Sequence, residues 1–187
     1  MDLTTETFEQ EVLVRSHELP VVVDFWAEWC APCRMLGPVL EREVAAHEGE
    51  IVLAKVDVDA NQDIAATYGI RGIPAVKAFK NGHVVSEFVG ALPAPAVADF
   101  LDKLTGPSAA EQLVAELRES GEAPEVTAAI ESGDHERALE LLLDEIRNAD
   151  GDRRERLSQL MVALFGDLGP EHPLSLRYRR QLASALY

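Results

Sequence analysis

Strand-forming patterns are confined to the first part of this chain and stop at Thr105-Gly106-Pro107-Ser108; everything beyond reads as helix. A sheet-centred core cannot extend into a segment that offers only helix-period apolar spacing, so two units are required. The 187 residues divide into units of roughly 100 and 80 residues. The expected boundaries are 1–105 for the first unit, 106–110 for a linker and 111–187 for the second.

Within the first unit, Thr7 to Arg15 is a short helical stretch, followed by Val21-Val22-Val23-Asp24-Phe25-Trp26. That nearly continuous β-favouring run is of the kind buried on both faces. After Cys30 a helix is expected to about His47, with Met35, Leu36, Val39, Leu40 and Val44 on one apolar stripe and Pro38 inside it. Ile51 to Val58 reads as a second strand. Asn61 is placed to cap a short helix from Ile64 to Tyr68 that Gly69 stops. Ala75–Lys80 and His83–Val89 flank Asn81-Gly82, a strong two-residue hairpin signal, and Ala96, Val97, Phe100, Leu101 and Leu104 give a closing amphipathic helix. The reading is α/β: a mixed central sheet flanked by helices, followed by an all-α unit.

Five helices are expected in the second unit, around Leu113 and Leu117, Val126 to Ile130, Ala138 to Ile146, Leu157 to Leu168, and from Pro173 onward. The last sets Leu174, Tyr178, Leu182 and Leu186 four apart, with Arg177, Arg179 and Arg180 on its other faces.

Charge narrows the partners. Thirty-three acidic residues against 17 basic ones give a net charge of -16, which repels phosphate backbones and anionic lipid, so no nucleic acid is expected as a partner. No stretch approaches the roughly 18 apolar residues that a membrane helix needs, and the opening residues lack the basic start and apolar run of a secretory signal. A cytoplasmic location is the resulting expectation, with no membrane partner.

Only two cysteines occur, with two residues between them, and a structural disulfide would not persist in a reducing compartment. Trp29-Cys30-Ala31-Pro32-Cys33 joins a strand end to a helix start, where unpaired N–H groups and the helix dipole stabilise a thiolate. Cysteine ordinarily titrates near about 8.5, and such surroundings lower that towards 7 or below. Cys30 is the expected nucleophile, and Cys33, one helical turn on, the resolving thiol. An unreactive pair and a zinc site are the competing readings. Zinc normally takes four ligands, no second Cys pair exists, and His17, His47, His83, His135 and His172 are scattered as ordinary surface residues. Neither a metal nor a cofactor is therefore expected. Asp24, an ionisable group inside a buried strand, is either a proton acceptor for Cys33 or a group held at a solvated edge or by Lys55.

The segment Val23-Asp24-Phe25-Trp26-Ala27-Glu28-Trp29-Cys30-Ala31-Pro32-Cys33-Arg34 resembles the active-site segment of the thioredoxin family. Tyr68-Gly69-Ile70-Arg71-Gly72-Ile73-Pro74 resembles its second signature, and the likeness runs from about Phe8 to Leu104. The resemblance implies a cis Ile73–Pro74 bond beside the dithiol and a proline that keeps metals away. It also implies an apolar client groove lined by Trp29, Gly72, Ile73, Pro74, Gly90 and Ala91, with Lys55 and Pro32 as auxiliary positions and Trp26 as packing. Ala31 stands where the family more commonly has Gly, and Ala75 where Thr is usual. Ala128 to Leu142 is similar to a tetratricopeptide turn with its flanking helices. His172 to Leu186 is similar to the end of the chaperedoxins, which join thioredoxin to tetratricopeptide-like helices. The appendage is short, and stacked repeats usually need three or more members, so it is expected to lean on another surface.

The leading function is a protein-disulfide reductase acting through the Cys-Ala-Pro-Cys dithiol. Its expected partners are proteins with disulfides or exposed cysteines, and a thioredoxin reductase-type or glutathione-type reductant. The alternative is a holdase or co-chaperone that binds unfolded clients and protects their cysteines. A plainer use of the helices is as a dimerisation or stability cap, which makes chaperones and a second copy of the chain further candidate partners.

Overall fold

The Val21–Trp26 run forms the central strand, β1, of a computed structural model that describes residues 1–186. On one side β1 pairs in parallel with β2 (Val52–Asp57). On the other it pairs antiparallel with β3 (Ala75–Lys80), which in turn pairs antiparallel with β4 (His83–Val89). The order is β2-β1-β3-β4. Val21, Val22, Val23 and Phe25 are fully buried, which accounts for the continuous rather than alternating apolar pattern. Asn81 and Gly82 both take positive φ, +52° and +79°, as the tight hairpin between β3 and β4 requires.

Helices cover both faces. On one, α1 (Thr5–Phe8) continues through a π-helical segment (Glu9–Val14) and a 3₁₀ turn (Arg15–His17); α3 (Gln62–Thr67) lies with it. Phe8, Val12 and Ile64 pack there on Val21, Val23, Phe25 and Phe79. On the other face α2 (Ala31–Ala46) and α4 (Ala94–Thr105) press Leu36, Leu40, Val97 and Leu101 onto Val22, Val76 and Ala78.

Three local expectations change. Met35 is 66% exposed. The helix turns by about 100° per residue, so aiming Leu36 and Leu40 at the sheet swings Met35 outward. Asn61 stands at the start of α3 without a side-chain cap bond. Its Oδ1 instead accepts the Thr5 N–H at 3.0 Å and its Nδ2 donates to the Asp57 carbonyl at 3.0 Å, tying the N-terminal segment to the end of β2. His47, expected as an ordinary surface residue, sets Nε2 3.1 Å from Asp102 Oδ1 and Nδ1 2.9 Å from the Glu43 carbonyl, which links the end of α2 to α4.

The chain splits into Met1–Gly106 and Pro107–Tyr187. In the second unit α5 (Ala109–Ser120) opens on a capping box: Ser108 Oγ accepts the Glu111 N–H at 3.2 Å, and the Glu111 carboxylate accepts the Ser108 N–H at 2.7 Å. Residues 109 and 110, expected within the linker, are therefore the first turn of this helix. There follow α6 (Pro124–Glu131), α7 (His135–Asn148), α8 (Gly151–Leu168) and α9 (Pro173–Leu186). Between α6 and α7, Gly133 takes φ +75° and Asp134 accepts the Arg137 N–H at 3.1 Å, a turn and cap in three residues. No helix among the described residues is long and apolar enough to cross a membrane.

The helical unit carries an apolar core among its own residues. Leu139, Leu142 and Ile146 of α7, Leu157, Leu160 and Phe165 of α8, and Tyr178 and Leu182 of α9 close on one another. Leu186, at the end of the α9 stripe, is 41% exposed and lies outside that core. Leu142 is fully buried, so Leu142→Ala is expected to cost about 2–5 kcal/mol through lost transfer energy and the cavity left behind. Urea unfolding of the full chain followed by far-UV circular dichroism should show the helical transition at lower denaturant. Fluorescence should not move, because Trp26 and Trp29, the chain's two tryptophans, belong to the first unit. A loss under about 1 kcal/mol would mean that this core does not hold the helices.

Candidate active site

Cys30 closes the loop after β1 and caps α2. Its N–H donates to the Ala27 carbonyl at 3.1 Å, and its Sγ accepts the Cys33 N–H at 3.3 Å. That N–H is one of the first-turn donors left without an intrahelical acceptor, so the helix start directs a donor and its dipole at this sulfur. Pro32 fits the first turn because the N–H it lacks has no acceptor there. Cys30 and Cys33 are joined by a disulfide, with Cα atoms 5.3 Å apart, and each residue is 3% exposed. They cluster with Ala27, and Trp26, Val58 and Ile73 pack against them.

Asp24 lies on the sheet face covered by α2, opposite Val76 of β3 and opposite Lys55 of β2. It is 2% exposed, and its Oδ1 is buried with no hydrogen-bond partner among the described residues. Burial pushes its carboxyl up to about 6, with Lys55 acting against that rise and Glu41 adding to it. The solvated-edge reading of Asp24 is thereby corrected. Lys55 is not its ion-pair partner either: the ammonium is paired with Glu41 of α2, a residue that sequence reasoning missed. The signal available for Glu41 was slight, a carboxylate one helical turn after the lone mid-helix glycine Gly37, on the face towards β2.

The expected groove residues fall into three sets. Ile73 reaches the cysteines, the Ile73–Pro74 bond is cis, and the buried Pro74 accepts the Gly90 N–H at 2.8 Å on its carbonyl. Trp29 is 68% exposed, and its indole N–H donates to Asp59 Oδ2 at 2.8 Å. Asp59 went unread in the sequence because only folding brings it to Trp29. Gly72 and Ala91 are exposed. Gly72 also lines a cavity of about 380 Å³ with Ile70, Arg71, Lys77, Glu87 and Val89, a lining that includes neither Trp29 nor Ala91.

A dithiol at a helix start, apolar neighbours and a buried carboxyl near neutrality together suit exchange of a disulfide with a partner's sulfur. Comparisons with known proteins agree. Residues 1–103 match the thioredoxin family, and residues 125–187 match a tetratricopeptide repeat family. Over 102 residues the chain is 44% identical to a thioredoxin of Pseudomonas aeruginosa, covering 54% of this chain and 93% of that protein. It is 46% identical over 101 residues to thioredoxin 1 of a Nostoc species, covering 54% and 92% respectively. With mouse mitochondrial thioredoxin it shares 50% identity over 97 residues, covering 52% of this chain and 58% of the relative.

Proposed function

The chain belongs to the thioredoxin family and is a thiol–disulfide oxidoreductase, and on that premise we propose that it reduces disulfides of protein clients held by its helical unit. The observation that carries this reading is the Cys30–Cys33 disulfide at the start of α2. In the reduced chain, Cys30 thiolate attacks a client disulfide; the client S–S bond breaks, a Cys30–client bond forms, and the departing client sulfur takes a proton. Asp24 then accepts the Cys33 proton. The Cys33 thiolate attacks Cys30 Sγ, the Cys30–client bond breaks, and the electron pair leaves on the client sulfur. The chain is left in the disulfide state, to which a thioredoxin reductase-type or glutathione-type reductant returns two electrons and two protons.

Trp29, Gly72, Ile73, Pro74, Gly90 and Ala91 form the client groove in this reading, with Pro32 shaping the first turn. The division into a thioredoxin domain over residues 1–105 and a tetratricopeptide-like domain that opens with α5 follows the same proposal, as does a cytoplasmic setting. The tetratricopeptide match over residues 125–187 favours a second activity, in which the helices bind unfolded clients whether or not the dithiol acts.

Cys30→Ser/Cys33→Ser separates the two activities. Insulin reduction by dithiothreitol should fall to the uncatalysed rate, while suppression of citrate synthase aggregation persists at wild-type stoichiometry. Retained insulin reduction sinks the reductase reading; absence of aggregation suppression in the wild-type chain sinks client binding by the helices.

A further inference from the structure

Lys55 sits opposite Asp24 across the β1–β2 register, a position from which its charge favours the ionised carboxyl. Its ammonium is nevertheless paired with Glu41. We propose that Glu41 is a positioning residue for the dithiol: by holding the Lys55 ammonium against α2, it leaves the Asp24 carboxyl unpaired and able to take the proton of Cys33. The inference rests on the proton-acceptor role given to Asp24 above and names what sustains it.

A Cβ on Gly37 would stand 3.8 Å from Lys55 Nζ, and Glu41 follows one turn later on the same helix face. The Lys55 side chain is 24% exposed and that of Glu41 56% exposed. The pair therefore bridges from beneath the helix to its solvent side, and the cation is drawn outward. On the inner side Asp24 Oδ1 keeps no partner.

The other charged groups leave this pair in control. From β3, Asp24 faces Val76, and α4 contributes Val97 and Leu101 to the same core. Farther along β2, Asp57 receives the Asp59 N–H at 2.9 Å. From the start of α2 come its cap Cys30 and Cys33, joined as a disulfide that does not titrate, and from farther along the helix Glu41. Burial, Lys55 and Glu41 thus set the proton affinity of Asp24, with Lys55 alone opposing the other two. Without the Glu41 charge, the Lys55 ammonium is no longer held to α2, and the carboxyl opposite it in the β1–β2 register is Asp24, whose buried Oδ1 has no partner among the described residues. Pairing there stabilises the carboxylate and makes it a weaker base towards Cys33.

The test follows the side-chain carboxyl of Asp24 by carbon NMR against pH in the oxidised full-length chain, where no thiol contributes. Glu41→Gln should lower its midpoint by about one pH unit. Glu41→Asp, which keeps the charge, should stay nearer the wild-type value, and Lys55→Met should move the midpoint upward. In the Lys55→Met background, Glu41→Gln should shift it by less than half of its effect alone. In single-turnover reduction, the acid limb of mixed-disulfide resolution should move down with the midpoint, and the rate at pH 7 should fall about threefold. An unmoved midpoint in Glu41→Gln, or an equal shift with and without Lys55, overturns the proposal. Those outcomes leave intact a chain that still reduces insulin through its cysteines. Insulin reduction that survives loss of both cysteines removes the underlying reading itself.

Discussion

Cys33→Ser should turn the chain from a catalyst into a trap. The Cys30 thiolate still opens the client disulfide and forms the Cys30–client bond, but no second sulfur stands a turn away to break it. Multiple-turnover insulin reduction should drop at least about a thousandfold, as for other residues that act as a unit. A one-to-one adduct should appear on non-reducing gels and vanish with dithiothreitol. Cys30→Ser should form no adduct, because Cys33 lies inside the helix and lacks the first-turn N–H that Cys30 Sγ receives. Turnover by Cys33→Ser within tenfold of wild type, or equal adducts from both variants, would falsify the division of labour between the sulfurs.

What the sequence disclosed of this arrangement depended on the range of the interaction. The β1 run and the Asn81-Gly82 hairpin are local: six consecutive β-favouring residues and one dipeptide suffice, and both strands flanking the turn match their expected limits. The reactive pair was equally legible, since its strand-to-helix setting is encoded within one short segment. Met35 was misplaced because a stripe drawn through both Met35 and Leu36 is wider than the face the sheet covers, and only the sheet decides which of the two faces inward. Asn61, Asp59 and Glu41 were misread or missed for a common reason. Asn61 bonds to Thr5 across 56 residues, Trp29 to Asp59 across 30, and Lys55 to Glu41 across 14, so no local pattern announces them. The core of the helical unit was not legible from repeat-counting, which treats each helix pair as a stacking unit. Here α8 and α9 close the apolar faces of α5 to α7.

Asp24→Asn should make the first unit more stable and its chemistry slower. The sign follows from proton binding. Burial raises the Asp24 carboxyl from its ordinary 3.8 to about 6 in the folded chain. Between those values the folded state therefore binds more protons than the unfolded one, and stability falls as pH rises. The loss begins near pH 4, is complete above about pH 6, and amounts to about 3 kcal/mol at neutrality. Asn cannot ionise, so the stability of Asp24→Asn relative to wild type should rise by about that amount between pH 4 and pH 7. Urea titrations of the oxidised chain followed by tryptophan fluorescence read this unit alone, since Trp26 and Trp29 both belong to it. A difference that stays constant across this range would show that Asp24 ionises in the folded chain as freely as in the unfolded one. The same substitution removes the acceptor for the Cys33 proton, so mixed-disulfide resolution at pH 7 should slow by about tenfold to a hundredfold. A carboxylate that destabilises its own fold at working pH is retained where its proton affinity is put to use. A gain in stability with unchanged resolution, or slower resolution with no gain in stability, would separate the two effects that burial of this one group is expected to join.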